Sequence, residues 1–167
     1  MKFLKIAIIF FTLLIVGNPA NCQIVDSVIY GWTVYEYGDE EQGDKQCYIV
    51  AYPQDSKSDH NRRAKPYLMI TRYQDSRTEE VSIYGGFEYK INSEIVALID
   101  NRQFKLQTKD DMAWAPSSFE DAAIIQKLLN AAVLKVRSDS SVSTFAIDEY
   151  SLKGVARAYT RMRQICS

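Results

Sequence analysis

The chain of 167 residues carries 20 Lys and Arg against 21 Asp and Glu, with one histidine and three cysteines. A formal charge of −1 excludes a protein that holds nucleic acid by bulk electrostatics. The single histidine excludes a histidine pair or a multi-histidine metal site within one chain, and the apolar and charged fractions, 47% and 25%, suit one globular domain.

Residues 1–22 read as a secretory signal. Lys2 and Lys5 form a basic start, and Ile6 to Val16 is an apolar run interrupted only by Thr12. Gly17, Asn18 and Pro19 break it, and cleavage is expected after Ala20 or after Cys22. The run is short for a membrane anchor, which wants about 20 apolar residues. Lipidation at Cys22 is the competing reading, but Pro19 and Asn21 fit a lipobox poorly. Removal of the signal leaves 18 basic and 21 acidic residues in one domain, 23–167.

The first two-thirds of that domain is β-patterned. Strands are expected at Val28–Tyr37 and Gln46–Pro53, joined by the polar turn Gly38–Lys45. A polar loop, Gln54–Lys65, leads through Pro66 into a strand at Tyr67–Tyr73. Further strands follow at Glu79–Tyr84, Phe87–Ile91, Glu94–Asp100 and Phe104–Thr108, separated by glycine, asparagine and aspartate turns. Ser118 with Asp121 resembles a capping box, opening a helix over Ala122–Ala132. Val133–Ser138 and Ser143–Asp148 read as a hairpin. Ser151 then caps a last helix, whose stripe is Leu152, Val155, Tyr159, Met162 and Cys166. The fold expected is mainly β, of the α+β kind: one antiparallel β-sandwich-like domain with two helices in the C-terminal third.

Chemistry is sparse. His60 lies in a loop with Arg62, Arg63 and Lys65, and no GxSxG, mature SxxK or CxxC accompanies it. It reads as a solvated loop residue, and the loop as either plain surface or a basic partner-binding patch. Paired acids occur at Asp39–Glu41, Glu79–Glu80 and Asp110–Asp111, but neighbours on a strand point to opposite faces. Trp32, Trp114 and eleven tyrosines fit either a sugar- or peptide-binding face or ordinary half-buried sheet positions. No catalytic, cofactor-binding or metal residue is assigned, and no cofactor is expected. Once Cys22 is removed, Cys47 and Cys166 remain, as a disulfide in an oxidising compartment or as two buried thiols.

The C-terminal third carries a resemblance. Ala113–Trp114–Ala115, the Ser/Asp-rich turn Ser138–Ser143, and DEYSLKG from Asp148 to Gly154 followed by Ala158 and Cys166 resemble the invasion-associated locus B family of bacterial envelope proteins. Gly31–Val34 (GWTV), Cys47 and Lys65–Tyr67 (KPY) fit the same template. Tyr35 and Met112 occupy neighbourhoods where many members carry cysteine. The resemblance implies an exported, non-enzymatic protein in the periplasm or on the outer surface of a Gram-negative bacterium. Its expected partner is an unidentified protein or glycan of the envelope or host, with peripheral outer-membrane association. The alternatives are a structural envelope-maintenance role and, further off, a glycan-acting enzyme.

Overall fold

The computed structural model describes residues 23–38 and 43–167. The expected signal, Cys22 and the acids Asp39, Glu40 and Glu41 lie outside these residues. Eleven strands and two helices follow in chain order. They are β1 (Ile24–Ile29), β2 (Trp32–Tyr37), β3 (Gln46–Ala51), β4 (Asp55–Ser58), β5 (Tyr67–Tyr73) and β6 (Glu79–Tyr84). Next come β7 (Glu94–Ile99), β8 (Arg102–Lys109), β9 (Met112–Trp114) and α1 (Ser118–Leu128). The chain ends with β10 (Val133–Asp139), β11 (Phe145–Ser151) and α2 (Val155–Ile165).

The strands form one open antiparallel sheet in the order β1-β2-β3-β5-β6-β9-β8-β7-β10-β11-β4. Inward side chains from both ends of it, Trp32 and Ile49 as well as Leu134 and Tyr150, join a single core cluster. The sheet therefore curls around its own apolar face instead of dividing into two hydrogen-bonded sheets, as strongly twisted large sheets do. The mainly β expectation holds.

Four local expectations are corrected. Val28–Tyr37 is a hairpin rather than one strand, because Tyr30 and Gly31 both take positive φ (50° and 90°) and pair Ile29 with Trp32. The loop Gln54–Lys65 contains β4, which pairs with β11. Phe87–Ile91 is not a strand; it bends past Gly86 and contributes a single bridge, Tyr89 to Ser140. Met112–Trp114, unassigned in the sequence, is a short strand between β6 and β8.

Both helices start differently from expectation. Ser117, not Ser118, caps α1, its side chain accepting from the Glu120 N–H. Asp121 instead reaches across to the sheet and accepts the Val81 N–H at 2.8 Å. Gly154, not Ser151, precedes α2, at φ 87°. A Cβ there would lie 2.8 Å from the Cβ of Tyr30, so glycine is required both by the backbone and by the close approach of the first hairpin. Val155, Ala158 and Met162 then face the core, and Cys166 closes a disulfide with Cys47 of β3, their Cα atoms 5.8 Å apart.

Candidate functional site

Alternation along β2, β3 and β5 sends Trp32, Val34, Cys47, Ile49, Leu68 and Ile70 inward. The intervening residues must then share the opposite face. Register aligns them in rows across the strands: Tyr37–Gln46–Tyr73, then Tyr35–Tyr48–Thr71–Glu80, then Thr33–Val50–Met69–Ser82–Trp114. A further row pairs Tyr67 with Tyr84. Both helices pack through buried residues that belong to the inner core, so this outer face carries no covering element among the described residues.

Six of the eleven tyrosines line one groove on it, of about 470 Å³. Tyr35 and Tyr48 stack with centroids 5.0 Å apart, as do Tyr67 and Tyr84, and Tyr52 meets Tyr67 edge-on at 6.5 Å. Burial among these neighbours pushes the Tyr48, Tyr67 and Tyr73 phenols above their ordinary range, so they remain neutral donors and acceptors. Glu80 stands at the end of its row. Burial raises its carboxyl, and a hydrogen bond from the Trp114 indole opposes that rise.

The residues singled out in the sequence do not form one patch. Arg63 is withdrawn: its guanidinium forks onto buried Asp148 at 2.7 and 2.5 Å, and its Nε donates to the Gly85 carbonyl at 2.7 Å. The basic-patch expectation is corrected there, because this side chain bolts the loop to β11. His60 places Nδ1 2.8 Å from the Thr144 hydroxyl and its ring 5.2 Å from Phe87. Arg62 is exposed. Lys65 alone joins the tyrosine face, its ammonium 3.7 Å from the centre of the Tyr52 ring.

The acids and tryptophans also separate. Glu79 is held by Arg72 at 2.8 Å and by the Tyr159 hydroxyl at 2.6 Å, while Glu80 faces the other way. Asp110, at φ 54°, makes the turn between β8 and β9. Trp32 is wholly buried core, whereas Trp114 lies half-buried on the outer face. Among the described residues no three His, Cys, Asp or Glu side chains gather as metal ligands. None of the helices there is long and apolar enough to cross a membrane.

The groove was half legible in the sequence. The i, i+2 spacing of Tyr35 and Tyr37, and of Tyr67, Met69, Thr71 and Tyr73, fixes a common face within each strand. Which strands lie side by side is not a local property, since β4 and the Pro66 segment stand between β3 and β5 in the chain. Comparison with known proteins found a family model described as Invasion associated locus B (IalB) protein, matching residues 32–163. No curated protein and no solved structure matches the chain.

Proposed function

This chain belongs to the invasion associated locus B family, and on that premise we propose that it is an exported, non-enzymatic envelope protein that acts by binding, with the tyrosine face as its contact surface. One observation carries the reading: six tyrosines line a groove on a sheet face that neither helix covers. Solvated sheet faces are ordinarily charged or small and polar, and large exposed aromatic patches mark contact surfaces. Tyrosine supplies amphipathic area at small entropic cost, which is why binding surfaces concentrate it. Lys65, at the rim, extends the surface into the loop first suspected from the sequence.

The test is retention on membranes. Wild-type protein and a Tyr48→Ala/Tyr67→Ala variant are incubated with washed bacterial envelopes and, separately, with host-cell membranes. Retention of the wild type on either, reduced at least tenfold in the variant, supports the reading. Equal behaviour of the two proteins in both assays removes the tyrosine face. The structural envelope-maintenance alternative would then lead.

A further inference from the structure

Within the tyrosine face one row differs from the others. The Tyr35–Tyr48 and Tyr67–Tyr84 pairs spend ring faces on each other. Tyr37 and Tyr73 do not: among the described residues neither is stacked on another ring, and Gln46 stands between them in register. Two strand spacings separate their backbones by about 9.5 Å. A flat ring held between two aromatic faces needs about 7–8 Å, a contact of roughly 3.5–4 Å on each side. Tyr37 and Tyr73 can therefore close on one inserted ring by leaning about an ångström each.

We propose that Tyr37, Gln46 and Tyr73 form a subsite for one pyranose ring of a neutral glycan strand, its C–H faces against the two phenols and its hydroxyls on the amide floor. The proposal rests on the tyrosine face being the contact surface and names its ligand class. The polar groups around the slot select the ligand. Gln46 offers a donor and an acceptor, the Thr71 hydroxyl in the adjoining row offers both, and Glu80, beside Thr71, offers acceptors alone. Glu80 lies near enough for its charge to help keep the Tyr73 phenol neutral.

A proline ring would fill the slot but brings no donors, leaving the Gln46 carbonyl desolvated and unanswered and adding nothing to the Trp114 hydrogen bond on the Glu80 carboxylate. A phosphorylated or nucleotide ligand would meet no cation among Tyr37, Gln46, Tyr73, Thr71 and Glu80. A sugar ring has apolar faces and a rim of hydroxyls that donate and accept at once. Its neutrality also matches the rows Tyr37–Gln46–Tyr73 and Tyr35–Tyr48–Thr71–Glu80, in which the Glu80 carboxylate is the single charge.

The experiment is an NMR titration of the purified protein with three hexasaccharides: β-1,4-linked N-acetylglucosamine, β-1,4-linked glucose and α-1,4-linked glucose. The expected result is millimolar or tighter binding of at least one of them, with the Gln46 side-chain amide among the shifted signals. Tyr37→Ala and Tyr73→Ala should each weaken it at least tenfold, and Lys105→Ala, exposed on β8 in the other half of the sheet, should leave it unchanged. Tyr37 is exposed, so its truncation carries the test even where Tyr73→Ala fails to fold. Binding that survives Tyr37→Ala, or no binding of any hexasaccharide at millimolar concentration, overturns the proposal, as does a proline-rich peptide that alone shifts Gln46. If that failure accompanies membrane retention still lost in Tyr48→Ala/Tyr67→Ala, the glycan falls and the binding face stands. If retention is also unchanged, both fall.

Discussion

The two halves of the sheet follow the same plan inside and opposite plans outside. Along β7, β8, β10 and β11 the outward positions include Val96, Leu98, Phe145 and Ile147 but also carry charges paired with opposite sign: Lys105 with Glu94 at 2.8 Å, Lys135 with Glu149 at 3.0 Å, Arg137 with Asp139 at 3.5 Å. Along β2, β3, β5 and β6 the equivalent positions carry tyrosine, threonine, methionine and glutamine. The first half presents what a sheet needs in order to stay wet on one side. Its neighbour could have been built the same way and was not. The proposed contact surface lies in that aromatic half.

The halves are also fastened differently. Beneath the tyrosines, Cys47, next to Tyr48, ties α2 to β3 by a covalent bond. In the charged half a buried ion pair, Arg63 with Asp148, ties the loop before β5 to β11, the two side chains being 7% and 2% exposed. Breaking each fastening sharpens the contrast.

The largest effect is expected from the disulfide. It closes a loop spanning 119 residues, worth about 4–5 kcal/mol in the chain-entropy model. Replacing both cysteines with serine should lower the denaturation midpoint accordingly, and adding reductant to the wild type should reproduce the loss in thermal melts.

Arg63→Ala comes next. It strands the Asp148 carboxylate in the interior, at a cost of about 3–5 kcal/mol. Arg62→Ala and Lys135→Ala, both on open surface, should leave the melting temperature nearly unchanged. A melt of Arg63→Ala as mild as theirs would return Arg63 to the surface and revive the basic patch.

A smaller, pH-dependent effect belongs to Asp121, which joins α1 to β6 in the tyrosine half. Burial pushes its carboxyl up to about 6, against the hydrogen bond from the Val81 N–H and from an ordinary value of 3.8. The folded chain thus holds a proton that the unfolded chain releases as pH rises above about 4. Stability from this group is full at low pH and falls as pH climbs through 6. Two pKa units correspond to about 3 kcal/mol, and about 1–3 kcal/mol is expected once residual solvent contact is allowed for. In urea titrations Asp121→Asn should flatten this decline between pH 4 and 7 and gain on the wild type at neutral pH. A parallel pair of curves would mean that Asp121 stays charged in place.

What could be read in advance follows physical range. Tyr67–Tyr73 and Glu79–Tyr84 were legible to the residue because β-branched and aromatic side chains in alternation state both the element and its buried face. The hairpin at Tyr30–Gly31 was missed because tyrosine is a rare occupant of positive φ, and the neighbouring glycine fits a strand interior as easily as a turn. β4 was missed because all four of its residues are polar. It is a strand only because β11 supplies hydrogen-bond partners.

The same division governs function. By itself the sequence determined the β-rich fold, the inward residues Val81, Ile83, Phe104 and Leu106 of β6 and β8, and the pair of cysteines able to meet. Each of these depends on local alternation or on the small number of candidates. Tertiary structure alone decided that Arg63 faces Asp148, 85 residues away, and that tyrosines from separate strands converge on one groove. Both depend on which strands become neighbours, and strand pairing is settled by the packing of the whole core rather than by any single segment.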